Sequence, residues 1–297
     1  VPVERHLLTL TSEDGEEHDA ILHIDERAAR VRERSTGRRT GVVHVHGALG
    51  NFLVGTLRFY PGPLARAGFP VLVVETRLAN VAQLLGSAIF DEATLDIDAG
   101  VRWLRDNGFR RVVVSGLSSG AALATRYAAT RHVPYLRGLI ALSMPWGLPQ
   151  SMRARAERYG AEPSYLEMTR IVRDAVSDPH AEMQDRIFVA ERTRGPSRIP
   201  AHAEVYTYRT WWSTRGPNAM EAMPFRQIGQ VWAPILLVQG TADELVAVEE
   251  AHALARVARR HGNDKAEVGL VPGADHLFKK TRVALIDTVT RWLRARA

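Results

Sequence analysis

Ser118, Asp243 and His276 are the residues of this chain whose types and surroundings suit nucleophilic chemistry. Ser118 stands in Gly116-Leu117-Ser118-Ser119-Gly120, between the apolar run Val112-Val113-Val114 and the small-residue stretch Ala121-Ala122-Leu123-Ala124. That layout reads as a buried strand, a sharp turn carrying the serine, and a helix. Glycines at 116 and 120 suit a turn where the backbone is crowded and a Cβ would clash. By itself such a pentapeptide arises by chance in about one chain in ten of this size. A serine hydroxyl is a weak nucleophile until a neighbouring base takes its proton. His276 is the candidate base, because among the eleven histidines it alone lies late, after a strand and in Gly273-Ala274-Asp275-His276. Asp243 would accept from the other imidazole nitrogen, fix the tautomer and stabilise the imidazolium. Glu244 is the alternative acid. Ser115 falls within the strand and Ser119 opens the helix, so the turn selects Ser118 over both. The Ser119 N–H, at a helix start, is one donor for the oxyanion that attack would create.

These residues need elements to carry them. His6–Thr11 and His18–Ile24 are β-prone runs around Asp14-Gly15, a hairpin signal. The polar, charged stretch that follows, 26–39, reads as a solvated surface loop. Residues 41–46, 70–76, 110–115, 136–144, 234–240 and 266–271 read as strands, several of them unbroken apolar runs of the kind covered on both faces. Helical patterns lie between them, over 56–67 (broken by Pro-Gly-Pro at 61–63), 91–107, 246–260 and 280–296. Alternating strands and helices imply a mostly parallel sheet with helices on both faces. From Trp146 to Val231 the alternation stops, and helices are expected over 150–159, 163–176, 180–193 and 203–213. Residues 1–145 and 232–297 therefore read as one α/β core, with 146–231 inserted after the sixth strand.

Four motifs in this order resemble the α/β-hydrolase superfamily over roughly 40–145 and 232–297. His46-Gly47-Ala48-Leu49-Gly50 is similar to its oxyanion loop, Gly116–Gly120 to its nucleophile elbow, Gly240-Thr241-Ala242-Asp243 to its acid loop and Gly273–His276 to its histidine loop. The resemblance implies an α/β-hydrolase fold with a helical cap at 146–231 and a second oxyanion donor from the Ala48 backbone N–H. It also implies a structural role for His46. A metal shared by His44 and His46 is not expected, the two being read as pointing to opposite sides of their strand. Glu75 and Arg77 are expected to form a structural ion pair or loop anchor, with a substrate-side role for Arg77 the alternative.

The aromatic residues of the insertion could line an acyl or alcohol pocket, the rival reading being that they pack its helices together. Met144, Trp146, Tyr206, Trp211 and Trp212 are the pocket candidates. The function implied is a serine hydrolase acting on a carboxylic ester. Carbon–carbon bond hydrolase, lactonase, amidase or peptidase, and acyltransferase share the same residues. A non-enzymatic small-molecule receptor is the alternative from another class. No cofactor is expected. The chain carries +6 at pH 7, yet its only lysines are Lys265, Lys279 and Lys280 and its arginines are interleaved with acids, so a nucleic-acid partner is not expected. No apolar run is long enough for a membrane span, and cysteine is absent. The chain starts without Met and Val1–His6 lacks a signal-peptide layout. The start is read as trimmed and the cytoplasm as the default location. The oligomeric state is not legible in the sequence.

Overall fold

A computed structural model describes residues 2–48, 50–79, 88–193 and 202–297. The chain opens with β1 (Glu4–Thr11) and β2 (Glu17–Ile24), an antiparallel hairpin turning at Gly15 with φ 90°. Then come α1 (Glu26–Thr36), β3 (Thr40–Val45), α2 (Pro61–Arg66), β4 (Val71–Val74), α3 (Thr94–Asp106), β5 (Arg111–Leu117), α4 (Ser119–Thr130) and β6 (Leu136–Leu142). The inserted segment holds α5 (Leu148–Tyr159), α6 (Tyr165–Val176), α7 (Ala181–Gln184), β7 (Ile187–Thr193), β8 (His202–Thr207), α8 (Tyr208–Arg215) and α9 (Pro224–Gln227). The chain closes with β9 (Ile235–Gly240), α10 (Val248–Arg260), β10 (Ala266–Val271) and α11 (Arg282–Arg296).

The sheet has eight strands in the order β1-β2-β4-β3-β5-β6-β9-β10. From β4 to β10 every neighbouring pair is parallel, and β2 joins β4 antiparallel. Every residue of β3, β4 and β9 is buried, which is why these strands read as unbroken apolar runs. One face packs Ile97, Val101 and Leu104 of α3, the alanines of α4 and Leu254 of α10. The other packs Leu64 of α2 and Leu285, Val289 and Trp292 of α11. The parallel strands point their carboxyl ends to one edge, so the loops after β3, β5, β9 and β10 converge there.

Three expectations are corrected. The stretch 26–39 is largely a helix, not a loop. Asp25 caps it by accepting from the Ala28 N–H at 3.0 Å, and Gly37 ends it with φ 70°. Its polar character is that of a solvent face, since Ala29 is the one buried residue of α1. In 56–67 the prolines do not break a helix but start one, Pro61 standing at the first helical position, where its missing N–H costs nothing. The insertion is not all helical either. The helices expected over 180–193 and 203–213 are replaced in part by the antiparallel pair β7–β8, with Phe188 opposite Tyr206. Ile187-Phe188-Val189 and Val205-Tyr206-Thr207 are β-branched and aromatic runs whose preference for pleated structure prevails. Helices do form over α5 and α6, and with α8 they enclose a small core of Met152, Tyr165, Met168, Val172 and Trp211.

Arg77 serves as a structural anchor, though not with Glu75. Its guanidinium meets fully buried Asp96 of α3 at 2.9 Å and Asp14 of the hairpin turn at 2.8 Å, and its backbone N–H reaches Asp96 at 2.7 Å. The Ser12 hydroxyl donates to the same carboxylate at 3.0 Å, and His18 Nε2 lies 2.9 Å from it. Asp96 thereby joins the hairpin, α3 and the loop after β4. Removing one partner of a buried pair strands the other charge, at about 3–5 kcal/mol. Asp96→Ala should lower the unfolding free energy by about that amount in urea denaturation. A midpoint equal to wild type would show that the network contributes nothing.

Candidate active site

Ser118 sits between β5 and α4 with φ 55° and ψ −118°, a conformation sparsely populated by non-glycine residues. Strain of this kind costs about 1–3 kcal/mol and persists only where the surroundings impose it. Here two glycines impose it. A Cβ on Gly116 would run into the Gly120 carbonyl, and one on Gly120 into the His46 carbonyl at the end of β3. The Ser118 N–H is held by Leu142 O of β6 at 2.8 Å, and its carbonyl accepts from the Ala121 and Ala122 N–H groups at 3.0 and 3.1 Å. Ser115 is fully buried inside β5 and Ser119 is the first residue of α4.

Asp243 follows β9 and His276 follows β10, two parallel neighbours whose ends lie side by side. His276 Nδ1 is 2.9 Å from Asp243 Oδ2. Asp243 Oδ1 accepts from the N–H groups of Leu245 and Val246 at 2.9 and 3.0 Å, and Oδ2 from Gln239 Nε2 at 2.8 Å. An ionised carboxylate only accepts, so Nδ1 carries the proton and Nε2 is left as the acceptor. Burial alone would raise the Asp243 pKa. The hydrogen bond and charge of His276, with the two backbone N–H groups, outweigh it and hold the carboxyl below its ordinary value. Gln239 was not among the candidate residues. Its signal was an amide inside the fully buried strand Ile235–Gly240, where a polar group must find a partner. Glu244, the alternative acid, is exposed.

The loop after β3 is fixed by His46. Its Nε2 accepts from the Thr76 N–H at 3.2 Å and lies 3.0 Å from the Thr76 hydroxyl, so Nδ1 donates to the Gly47 carbonyl at 2.9 Å. His44 Nδ1 is bonded to Ser115 Oγ at 2.9 Å, its ring 4.5 Å from that of Tyr60. The reason given for a divergence of His44 and His46 fails, because side chains alternate with period two and residues two apart in a strand share a side. His46 lies just past β3, and each ring has its own partners. Burial pushes the pKa of His44 down to about 3 and that of His46 below its usual range. Among the described residues no cluster of three or more His, Asp or Glu side chains could hold a metal.

Ser118, His276 and Ala48 line one cavity of about 370 Å³. Its walls include Val54, Leu57, Leu117, Leu245 and Leu277, together with Arg155 from α5 and Glu244, Asp275 and Lys279. The five pocket candidates from the sequence do not line this cavity. Met144 is buried, its sulfur accepting from the Thr125 hydroxyl at 3.1 Å. Trp146 stacks on Phe225 with ring centroids 4.9 Å apart. Tyr206 and Trp211 belong to the small core of the insertion, and Trp212 packs against it. Large aromatic surfaces are well spent in holding such a segment together. Val54, Leu57 and Leu277 had no signal of their own, since only the folded loops bring them to the serine.

A sequence profile described as the alpha/beta hydrolase family matches residues 42–278. The chain belongs to that family. Comparison with curated protein sequences finds no significant match. Among solved structures, the esterase Pf2001 of Pyrococcus furiosus is similar with a TM-score of 0.64 at 20% identity, over 99% of this chain and 91% of that one. Est1E of Butyrivibrio proteoclasticus gives 0.64 at 14%, over 97% and 98%. The hypothetical protein PA2218 of Pseudomonas aeruginosa gives 0.71 at 14%, over 100% and 95%. At such identities the likeness is one of fold, and the sheet order here is that of an alpha/beta hydrolase. No helix among the described residues is long and apolar enough to cross a membrane.

The lowered pKa of Asp243 in this hydrolase has a consequence for acid stability. A carboxyl depressed in the folded state stabilises it fully above the unfolded value of about 3.9, and that contribution is lost as pH falls through the lower folded value. The difference in unfolding free energy between wild type and Asp243→Asn should therefore shrink on acidification from about pH 5 to about pH 2. A difference constant over that range would show that the carboxyl is not held below its usual pKa.

Proposed function

We propose that the protein is a serine hydrolase that cleaves a carboxylic ester through an acyl-enzyme on Ser118. The observation that carries this reading is the cavity shared by a strained serine and by a histidine whose far nitrogen is held by a buried carboxylate. In the proposed reaction His276 Nε2 takes the Ser118 proton as Oγ attacks the ester carbonyl. The developing oxyanion is met by the backbone N–H groups of Ala48 and Ser119, the latter favoured by the positive end of α4. His276 then gives the proton to the leaving alkoxide. Water, deprotonated by the same nitrogen, attacks the acyl carbonyl, and the proton returns to Ser118 Oγ as the acid departs. Asp243 keeps His276 in the working tautomer throughout. The inserted segment 146–231 serves as a cap, contributing Arg155 to the cavity.

An ester is favoured by similar structures described as esterases, Pf2001 and the esterase domain of a Rhodothermus marinus protein. A small aliphatic acyl group is favoured by the lining, in which Val54, Leu57, Leu117, Leu245 and Leu277 supply the apolar surface. At roughly 30 Å³ for a water-sized group, about 370 Å³ holds on the order of a dozen non-hydrogen atoms. Est1E is known with ferulic acid bound. Among the described residues, the lining of this cavity has no Phe, Tyr or Trp for stacking on such a ring.

p-Nitrophenyl acetate, butyrate, octanoate and laurate, with matched amide and lactone substrates, provide the test. Hydrolysis should be fastest on the short esters, and kcat should fall by about three orders of magnitude or more in Ser118→Ala. Asp243→Asn should cost about 10³–10⁴-fold in kcat while leaving the protein folded. Unchanged turnover in Ser118→Ala would overturn the mechanism. Tight small-molecule binding with no turnover of any acyl substrate would favour the receptor reading.

A further inference from the structure

We infer that Ser143 is a positioning residue that sets the distance between Ser118 and His276. This rests on the proposed serine mechanism. Three non-glycine residues have positive φ among the described residues: Ser118 at 55°, Ser143 at 46° and Phe278 at 54°. Such outliers gather at functional sites, where the surroundings hold them. Ser118 is the proposed nucleophile and Phe278 lies two residues beyond the proposed base. Ser143 is the first residue after β6 and fully buried, and neither the motifs nor the cavity lining includes it.

Its contacts explain the conformation. The Ser143 hydroxyl donates to the backbone carbonyl of His276 at 3.1 Å, a bond spanning 133 positions of sequence. Its N–H donates to Val238 O of β9 at 2.9 Å. The preceding residue, Leu142, accepts the Ser118 N–H at 2.8 Å. Two consecutive residues at the end of β6 thus hold the nucleophile through one bond and the base through the other. An extended backbone at 143 would alternate with its neighbours and continue the strand. The positive φ instead turns the hydroxyl to the histidine loop. Asp243 fixes the ring of His276 but not its backbone, and Ser143 supplies that second restraint. Buried Phe278, whose N–H donates to Asp275 O at 3.1 Å, closes the far side of the same loop.

The test compares Ser143→Gly and Ser143→Ala with wild type. Glycine removes the hydroxyl and relieves the positive φ, whereas alanine removes the hydroxyl and keeps the strain. Both should lower kcat on p-nitrophenyl butyrate by about 10- to 100-fold, the scale of a displaced catalytic group, with KM within about twofold. The rate of inactivation by a p-nitrophenyl phosphonate, which reports the Ser118–His276 geometry directly, should fall in parallel. The Tm of Ser143→Gly should be no lower than that of Ser143→Ala, so that activity falls without a matching fall in stability. Unchanged kcat and inactivation rate in folded Ser143→Gly, or losses that track the folded fraction in both variants, would overturn the inference. If Ser143→Ala fails to fold, the glycine variant carries the test alone. Failure here with Ser118→Ala inactive leaves the serine mechanism standing. Activity in Ser118→Ala removes both.

Discussion

Backbone crowding where β3 and β5 end side by side is the constraint on which the site depends. The His46 carbonyl lies so close to Gly120, and Gly120 to Gly116, that no Cβ fits at either glycine. This closeness forces the chain to reverse from strand to helix within one residue, and that residue is Ser118. It also brings the loop after β3, with Ala48, to the same cavity as the serine. The strain at Ser118 follows from packing between segments far apart in sequence. It holds because both strands are buried in the middle of an eight-stranded sheet.

Electrostatics divides the polar groups at this edge by their partners. Asp243 is buried, yet four donors converge on it, so its charge survives desolvation. His44 and His46 are shifted the other way, burial lowering the pKa of both, that of His44 to about 3. Burial and the nearby Asp19 push the Glu75 carboxyl up to about 7, while Arg77 spends its charge on Asp96 and Asp14. The same sheet edge thus carries a carboxyl held below its ordinary pKa and histidines held below theirs. For Asp243 the donors outweigh burial, and for the histidines burial outweighs their hydrogen bonds.

Legibility in the sequence followed burial. β3, β4, β5 and β9 were readable because covering a parallel strand on both faces demands an unbroken apolar run. Glycine-bounded motifs at their ends marked the loops that meet at the edge. α1 is not readable because it buries little beyond Ala29, and its caps, Asp25 and Gly37, are residue types that polar surface loops also carry. β7 and β8 were misread because short mixed segments carry no decisive period. Trp146, Tyr206, Trp211 and Trp212 looked like pocket residues by type, but aromatic side chains serve equally well as glue for an inserted segment, and that is where they lie.

The sequence by itself determined the class of fold, the serine on its turn, and the order in which an acid and a histidine follow it. Those depend on local pattern, on hydrophobic runs and on glycines, which are written residue by residue. Only the tertiary structure decided that Arg77 pairs with Asp96, that Gln239 steadies Asp243, that leucines and a valine wall the cavity, and that the Ser143 hydroxyl meets the His276 carbonyl. Each of these joins positions distant in the chain. Such contacts arise from the register and order of strands, which no single stretch of sequence encodes. The serine turn with which the chemistry began is thus a local feature whose working geometry belongs to its neighbours.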